Sequence, residues 1–351
     1  MAENDRDHEQ RSKSAEMIFV VGAARSGTTM MGRILGNHPR VYTFGELHFF
    51  EELWPPEIPP NPLDRRRAAT LAGKLLAIQR QGYYAKRDPQ RFLSEAERVV
   101  DALERAPTAP TVFEAFLRYE TGRQGKDIPC LQTPRDVYYL KEILQFFRGA
   151  RVVNMVRDPR AVLLSQKRRW RRYYLSPQKL PWTFPVRAWV NYHPITYSLL
   201  WRRAVAAGVA LADDPRVRTV HFEALMKEPE RELDGVASSL GLEQFPEMLH
   251  VPWLGSSSRP DEPDRLGLDD GVVGKWRIEG LNQTEVWLCQ GLNRKEIPKH
   301  GYVHETTSMN PLHFVYYAVT WLPKLILALL LNLGRMRSPA AAVGRRIGPA
   351  K

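Results

Sequence analysis

A short apolar run followed by a glycine-containing loop constrains this chain more than any other feature. Residues 17–21, Met-Ile-Phe-Val-Val, are apolar and end at Gly22, a pattern typical of a buried strand in a parallel sheet. Residues 28–36 are mostly good helix formers, and Pro39 follows closely, which predicts a helix that ends before the proline. The sequence therefore predicts a strand, a tight loop and a helix in direct succession.

The loop between these two elements has the glycine spacing of a phosphate-binding loop. It reads Gly-Ala-Ala-Arg-Ser-Gly-Thr-Thr over residues 22–29, and Thr28 stands where a nucleoside triphosphatase needs its lysine. Backbone N–H groups at a helix start bind anions, and the guanidinium of Arg25 can engage two oxygens of a phosphate or sulfate. Further donors next to Gly27 are the hydroxyls of Ser26, Thr28 and Thr29. We therefore predict an anion site that needs no metal; the plainer alternative is a glycine turn with an ordinary helix cap.

A second set of cations follows another predicted strand. Residues 150–156 are again apolar, and Arg157 begins the sequence Arg-Asp-Pro-Arg. Ser165 and Arg169 follow at a spacing of four, which places them on one face of a helix predicted over residues 159–170. Both side chains can then converge with Arg157 on one anion. The neighbouring Arg168, Arg171 and Arg172 are more typical of a solvated basic surface. Two separate anion-binding points are thus predicted.

The remaining pattern predicts an α/β fold. Residues 41–44 and 217–222 have strand patterns, and residues 136–147 and 230–240 have helical patterns. Strands that alternate with helices are typical of a central parallel sheet flanked by helices, and with the loop at residues 22–29 they indicate a P-loop-like three-layer fold. A helical insertion over about residues 54–125, which we expect to cover the substrate, is predicted from helical patterns at residues 63–81, 90–105 and 111–119.

The two loop motifs together resemble those of the superfamily of sulfotransferases that use 3′-phosphoadenosine 5′-phosphosulfate (PAPS). The resemblance is to the bacterial and tyrosylprotein branches, and matching features extend from Phe19 to Trp276. It implies metal-free transfer of a sulfuryl group from PAPS to an acceptor hydroxyl, which leaves adenosine 3′,5′-bisphosphate. The residues implied for the 5′-phosphosulfate are Arg25, Ser26, Gly27, Thr28 and Thr29. Those implied for the 3′-phosphate are Arg157 and Ser165, with Arg169 beside them.

Glu46 is the candidate base for the acceptor hydroxyl. It follows the predicted strand at residues 41–44, and a glutamate in a similar Gly-Glu setting has this role in the tyrosylprotein branch that the chain resembles. His48 is the competing candidate, and a surface carboxylate beside Glu51 and Glu52 is the plainer interpretation of Glu46. A metal cluster of these four side chains is disfavoured because no second group with metal-site spacing accompanies them.

Stabilisation of the leaving group differs from that in the family. Members that resemble this chain have a lysine before Thr-Pro, whereas this chain has Gln132 there. An amide donates a hydrogen bond but carries no charge, so the transfer rate falls unless Arg25, Arg135 or Lys275 compensates. Lys275 lies where the family closes a late loop over the nucleotide, which implies a binding and catalytic role; a solvated lysine is the alternative.

The first part of the chain and its cysteines bear on the compartment. Residues 1–16 form a polar arm without an apolar signal segment, and Cys130 and Cys289 have no ligand-like spacing. Such cysteine usage fits a reducing compartment, so we expect a cytoplasmic protein. We expect the sulfotransferase domain to extend over residues 17–310.

The last forty residues are apolar and then basic. Residues 314–331 are almost wholly apolar, interrupted by Thr320, Pro323 and Lys324, and cations follow. This pattern predicts that residues 311–351 form a hydrophobic helix and a basic tail, with membrane contact in the interface plane through residues 314–337. A final helix buried against the core is the alternative.

The formal net charge of +12 favours polyanionic ligands or an anionic membrane surface. We expect no nucleic-acid partner and, as acceptor, a small-molecule or lipid-like hydroxyl compound. Two other functions are kept open. A P-loop kinase or nucleotidase would agree with the glycine spacing but not with Thr28, and a catalytically weak, membrane-associated nucleotide-binding protein would agree with Gln132 and the apolar tail.

Overall fold

A parallel sheet of five strands lies at the centre of the computed structural model, which describes residues 15–56, 58–83, 85–176, 180–332 and 344. The strands are β1 Met17–Gly22, β2 Val41–Thr43, β3 Ile128–Leu131, β4 Ala150–Val156 and β5 Val217–His221, in the spatial order β2-β3-β1-β4-β5. All neighbouring pairs are parallel. A separate antiparallel pair consists of β6 Pro252–Trp253 and β7 Glu262–Leu266. The predicted parallel sheet flanked by helices is confirmed.

Helices cover both faces of this sheet. They are α1 Thr28–Gly36, α2 Arg65–Gln81, α3 Leu93–Asp101, α4 Ala109–Arg123, α5 Leu140–Phe146, α6 Pro159–Lys167, α7 Arg172–Leu175, α8 Thr183–Asn191, α9 Pro194–Val209, α10 Phe222–Lys227, α11 Pro229–Leu240, α12 Gln283–Leu292, α13 Glu296–Lys299 and α14 Pro311–Asn332. Local signals fix several ends. The Asp158 carboxylate accepts from the backbone N–H of Arg160 at the start of α6, and Gly241 in the left-handed conformation ends α11.

Alternate residues of β1 divide the core into two layers. Phe19 and Val21 pack in one cluster with residues of α2, α4 and α9, whereas Ile18 and Val20 pack in the other with residues of α1, α10 and α11. All four side chains are fully buried, and each such burial stabilises the fold by about 1.5–3 kcal/mol. A strand buried on both faces is why residues 17–21 form an uninterrupted apolar run.

Helices α2, α3 and α4 lie between β2 and β3 in the chain, where a helical insertion is predicted. Ala72, Leu75 and Phe113 belong to the same apolar cluster as Phe19 of the central strand. These helices therefore form part of the layer on one face of the sheet and share its core.

Strand β3 has no counterpart among the predicted strands. It is four residues long, and Pro129 lies within it opposite Tyr42 of β2. Because proline lacks a backbone N–H group, it argues against a strand inside a sheet. Its neighbours Ile128, Cys130 and Leu131 are nevertheless buried, and packing outweighs the missing donor.

Helix α14 is exposed along most of its length. It has 22 residues and is long and apolar enough to cross a membrane. Only 11% of its most apolar stretch is buried inside the protein. Tyr317, Leu325 and Ala328 are its buried residues, so the alternative of a helix buried against the core is wrong. The predicted basic tail and the polar arm lie outside the described residues, apart from Ala15, Glu16 and Gly344.

The chain leaves β1 and β4 in opposite directions across the sheet. From β1 it passes through α1 to β2 on one side, and from β4 it passes through α6 to α9 before reaching β5 on the other side. Adjacent strands whose connections diverge leave a crevice at their carboxyl ends, where ligands of open α/β sheets bind. Gly22 at the end of β1 is paired with Met155 of β4, which brings the two predicted anion-binding loops to this crevice.

Candidate active site

A cavity of about 500 Å³ opens at the carboxyl ends of β1 and β4. Among the predicted site residues, those that line it are Arg25, Gly27, Thr28, Thr29, Glu46, His48, Arg157, Ser165, Arg169 and Lys275. Ser26 is fully buried behind the lining. Residues that are far apart in the sequence, cations and carboxylates among them, are thus brought to one cavity.

Close backbone packing explains the glycines of the first loop. A Cβ atom on Gly22 would lie 2.2 Å from the carbonyl oxygen of Met155, and one on Gly27 would lie 2.6 Å from Cδ2 of Phe222. Gly27 also has a φ of +93°, in the left-handed region that favours glycine. Arg25 has a φ of +76°, and this turn directs the chain from β1 into the start of α1.

The side chain of Arg25 links the first loop to the second. Its Nε donates to Oγ of Ser165 at 2.9 Å, and its Nη2 donates to Oγ of Ser257 at 2.9 Å and to the carbonyl of Gly255 at 3.0 Å. Arg157 in turn donates from Nη1 to the backbone carbonyl of Arg25 at 3.2 Å. The two loops and the segment at residues 255–257 therefore form one bonded unit.

Arg157 is held in place from two sides. Its guanidinium carbon lies 4.0 Å from the ring centroid of Phe222, and its carbonyl accepts a hydrogen bond from the indole of Trp201 at 2.9 Å. Its Nε is buried and has no hydrogen-bond partner among the described residues. A buried donor without a partner is costly unless a ligand completes it.

Like charges crowd this end of the cavity. Burial, followed by the positive charges of Arg169, Arg157 and Arg172, lowers the pKa of Arg25 to about 10. Burial also lowers the pKa of Arg157. Since an anion would relieve this repulsion, the set Arg25, Arg157, Ser165 and Arg169, called here the basic end, has the electrostatics of an anion site.

Arg169 does not lie on the same α-helix as Ser165, which corrects the predicted helix over residues 159–170. α6 ends at Lys167, and Arg169 begins a separate 3₁₀ turn, with its guanidinium 5.7 Å from the ring centroid of Phe184. Arg168 and Arg172 form ion pairs with Glu279 at 2.7 Å and Asp261 at 2.6 Å. Those two pairs favour a structural role for both arginines.

The opposite end of the cavity is built around Glu46 and His48. Nε2 of His48 lies 3.1 Å from the Glu46 carboxylate, and its Nδ1 lies 3.8 Å from that of Glu51. His48 has a φ of +51° and precedes a single π-helical turn, Phe49–Leu53, which carries Glu51 and Glu52. Such π turns occur mostly at functional sites.

The two side chains shift each other's pKa in opposite directions. Burial acts to raise the pKa of Glu46, but its hydrogen bond and charge interaction with His48, together with the positive charges of Arg169 and Arg135, outweigh this and hold the pKa below its usual range. Burial acts to lower the pKa of His48, but the hydrogen bond and charge of Glu46 raise it overall. The pair therefore favours a carboxylate beside an imidazolium.

Asp136 and Tyr83, which sequence reasoning did not select, complete this region together with Arg135. The carboxyl of Asp136 is 2% exposed, burial raises its pKa to about 8, and its Oδ1 has no hydrogen-bond partner among the described residues. Arg135 donates to both carboxylate oxygens of Glu51 at 2.8 and 3.0 Å, and Tyr83 donates to Glu52. Glu46, His48, Glu51, Glu52 and Asp136 are called here the carboxylate end. No local spacing marks Asp136 or Tyr83, because three distant segments bring them together.

Gln132 and Lys275 differ in their access to the cavity. Gln132 is 9% exposed, is absent from the cavity lining, and packs its Cβ 3.0 Å from where a Cβ of Gly32 would lie. Lys275 lines the cavity on a 3₁₀ turn that follows Gly274, whose φ is +77°. Of the cations expected to compensate for the missing lysine, Arg25, Arg135 and Lys275 all line the cavity.

The cover of the cavity differs from the one expected. Among the described residues of the segment 54–125, only Tyr83 lines it. α8 and α9 form the wall instead, through Phe184, Arg187, Ala188, Asn191, Tyr197 and Leu200. Helices α2 to α4 are engaged in the core of the sheet, which is why they do not cover the cavity. Within the part of the chain that the structure describes, no group of three His, Cys, Asp or Glu side chains is arranged to hold a metal ion.

Comparison with known proteins identifies the family. The model of the sulfotransferase family matches residues 17–247, about two thirds of the chain. One similar solved structure is the sulfotransferase domain from the curacin biosynthetic pathway, which is 16% identical in sequence and has a TM-score of 0.49. The match covers 83% of this chain and 99% of that chain. The sulfotransferase domain from the Synechococcus PCC 7002 olefin synthase has 18% identity, coverages of 83% and 96%, and a TM-score of 0.49. Sulfotransferase STF9 from Mycobacterium avium has 15% identity, coverages of 87% and 82%, and a TM-score of 0.42. No curated protein matches the chain. Because its family model spans both loops and all five strands of the central sheet, the chain belongs to the sulfotransferase family.

Proposed function

We propose that the protein transfers a sulfuryl group from PAPS to an acceptor hydroxyl, with the donor at the basic end and the acceptor beside the carboxylate end. The observation that carries this proposal is the bonded unit of Arg25, Ser165 and Arg157, which joins two anion-binding loops on adjacent strands. A donor with phosphates at two separate positions fits such a unit. A triphosphate with its magnesium fits it less well, because Thr28 replaces the lysine of the ATPase loop.

The residues of the basic end suit both anionic groups of the donor. Arg25 and the N-terminal turn of α1, with Ser26, Gly27, Thr28 and Thr29, would hold the 5′-phosphosulfate through backbone N–H groups, hydroxyls and one guanidinium. Arg157, Ser165 and Arg169 would hold the 3′-phosphate. Two buried atoms without a hydrogen-bond partner among the described residues, Nε of Arg157 and Oγ of Ser26, support this fit.

The carboxylate end would supply the base. In the proposed step the acceptor oxygen forms a bond to sulfur, the bond between sulfur and the 5′-phosphate oxygen breaks, and the hydroxyl proton passes to Glu46. His48 keeps Glu46 ionised through the 3.1 Å contact between Nε2 and the carboxylate. Arg25 and Lys275 would stabilise the charge that develops on the leaving phosphate. The negative charge of Glu46 acts to raise the pKa of Arg25, which supports a base and a leaving-group cation in one site.

The wall of the cavity supports a small acceptor with an apolar part. Phe184, Ala188 and Leu200 line it next to the hydroxyl of Tyr197 and the amide of Asn191. Apolar side chains beside a few polar groups can bury the carbon part of an organic ligand and orient it through hydrogen bonds. We propose a hydroxyl compound of lipid-like character as the acceptor.

Calorimetric titration with adenosine 3′,5′-bisphosphate tests the donor site. The wild-type protein is expected to bind, and Arg157→Ala is expected to weaken binding by at least tenfold, since a charged hydrogen bond is worth about 1.5–3 kcal/mol and the remaining polar groups stay buried. Arg66→Ala removes an exposed cation of α2 and is the matched control, with unchanged affinity.

Failure of the wild-type protein to bind this nucleotide would overturn the proposal. Mass spectrometry of an extract treated with the protein and isotopically labelled PAPS then identifies the compound that gains sulfate. Magnesium-dependent ATP turnover that survives Arg157→Ala would favour a kinase or nucleotidase instead.

A further inference from the structure

Every polar side-chain group in the second half of α14 turns towards the protein. Lys324 donates from Nζ to the carbonyls of Trp189 and Tyr192 at 3.4 and 3.2 Å, at the carboxyl end of α8. The indole of Trp321 donates to Oγ1 of Thr196 at 3.1 Å, and the amide of Asn332 donates to that of Asn191 at 3.1 Å. The lysine that interrupts the apolar run is therefore bound to protein carbonyls.

The outer face of the same helix is apolar and exposed. Its side chains recur at helical spacing and are Leu312, Val315, Tyr316, Val319, Leu322, Ile326, Leu327 and Leu330, each between 42% and 81% exposed. Water-soluble surface helices have the opposite arrangement, with polar groups outside. A helix that directs its polar groups inward and its aliphatic side chains outward has the pattern of a surface in contact with hydrocarbon.

α8 extends this apolar surface next to α14. Val186 and Trp189 on α8 are 51% and 59% exposed, and Trp182, which precedes the helix, is 75% exposed. The ring of Trp189 lies 4.2 Å from Nζ of Lys324, which ties the two helices together. Tryptophan is the residue that prefers the boundary between headgroups and acyl chains.

The charge of this region selects the partner. Residues 311–351 contain no Asp or Glu, and Arg335, Arg337, Arg345, Arg346 and Lys351 follow the helix in sequence. Two copies of a chain with a net charge of +12 repel each other, whereas an anionic lipid surface attracts it. Apart from the hydroxyl of Tyr316, the outer-face side chains named above carry no hydrogen-bonding group that could fix the register of a protein interface.

We propose that the outer faces of α8 and α14, called here the α8–α14 surface, bind the protein to a bilayer that contains anionic lipid, with α14 lying in the interface plane. Spanning is disfavoured because Lys324, Trp321 and Asn332 bond the helix to α8 and α9 over three of its turns. The aliphatic side chains enter the headgroup boundary, and the net positive charge of the chain favours anionic lipid.

The same two helices also line the cavity. Phe184, Arg187, Ala188 and Asn191 of α8 and Asn332 at the end of α14 belong to its wall. A protein docked by the α8–α14 surface would thus hold its cavity beside the bilayer, where a hydroxylated amphiphile can enter from the lipid. This delivery role rests on the proposed function, whereas the docking itself does not.

Co-sedimentation with vesicles of phosphatidylcholine and phosphatidylglycerol in equal amounts tests the docking. The full-length protein is expected to partition to the vesicles, less strongly at high salt, and the double variant Leu322→Glu with Ile326→Glu is expected to lose at least tenfold in partition coefficient. Leu93→Glu replaces an exposed leucine at the start of α3 with glutamate and serves as the matched control. Its partition coefficient is expected to equal that of the wild-type protein.

Nucleotide affinity of each variant shows whether the fold is intact and separates docking from catalysis. Wild-type affinity for adenosine 3′,5′-bisphosphate with tenfold weaker vesicle binding supports the proposal whether or not PAPS turnover is found. Absence of vesicle binding by the wild-type protein, or equal binding by the double variant, would overturn it. So would a dimer that the double variant converts to a monomer while neither protein sediments with vesicles.

Discussion

The basic end and the carboxylate end of the cavity are constructed in different ways. The basic end consists of two loops at the ends of adjacent central strands, and the contacts Arg25 to Ser165 and Arg157 to the Arg25 carbonyl join them directly. The carboxylate end is assembled from a π turn, a 3₁₀ turn and a loop residue, Tyr83, that are far apart in sequence. Backbone geometry therefore determines where the residues of the basic end lie. Side-chain packing between peripheral segments determines where those of the carboxylate end lie.

Replacing the proposed base should have the largest effect, and it should change catalysis at the carboxylate end without changing nucleotide binding at the basic end. Glu46→Gln keeps the size of the side chain and removes its ability to accept a proton, so kcat should fall by about 10²–10⁴. The Kd for adenosine 3′,5′-bisphosphate should stay within about threefold, because the hydrogen bonds that join Arg25, Ser165 and Arg157 do not involve Glu46. Single-turnover transfer from PAPS and calorimetry measure the two quantities on one preparation. A large loss of affinity would show that the ends are not independent, and an unchanged kcat would leave His48 as the base.

A methyl group at Gly27 tests whether the basic end depends on backbone approach. Gly27→Ala forces a Cβ to 2.6 Å from Phe222 at a φ of +93°, which should cost about 2–4 kcal/mol of unfolding free energy. Gly122→Ala is the matched control, since its Cβ would meet no atom within 4 Å among the described residues; alanine there should stabilise α4 by about 0.5–1 kcal/mol. Urea unfolding measures both. Equal effects would contradict the close packing at Gly27.

Sequence reasoning succeeded where local spacing determines the structure. The alternation of Phe19 and Val21 with Ile18 and Val20 places β1 between two layers, and the loops after β1 and β4 follow from their glycines, prolines and cations. It failed where distant packing decides. β3 was not predicted because Pro129 lies within it. The role of Asp136 was not predicted because it depends on the proximity of His48 and Glu46, which are distant in sequence. The aromatic residues between Trp170 and Trp201 are compatible with a pocket lining, but packing is the plainer interpretation of their pattern. The structure nevertheless places α8 and α9, rather than the residues 54–125, in the cavity wall.

Stability should fall as pH rises because of the carboxylate end. The pKa of His48 is raised above its ordinary value of 6.5, so its stabilising contribution is complete below that value and is lost as pH rises through the folded-state pKa. Asp136 acts in the same direction: burial raises its pKa from 3.8 to about 8, so its ionisation in the unfolded chain increasingly favours unfolding up to that pH. We expect a loss of about 2–4 kcal/mol between pH 6 and pH 8.5, most of it from Asp136.

Urea unfolding of Asp136→Asn at the two pH values isolates the part due to the buried carboxyl. The variant should show a smaller loss than the wild-type protein, because an amide does not titrate. Asp213→Asn changes an exposed carboxylate and should retain the wild-type pH dependence. A pH dependence of the same size in Asp136→Asn would show that Asp136 is ionised in the folded protein, and the carboxylate end would then owe its pH response to His48 alone.

Gln132 should have the smallest effect, although the resemblance stated from the sequence implies a lysine at this position. Its side chain packs beside Gly32 outside the cavity lining, and its Oε1 has no hydrogen-bond partner among the described residues. Gln132→Ala should therefore leave kcat within about twofold, since no contact to the leaving group is lost. Lys275→Ala removes a cation that lines the cavity and should lower kcat/KM by about tenfold. If the order is reversed, the leaving phosphate is stabilised by the Gln132 amide, and the basic end extends to β3.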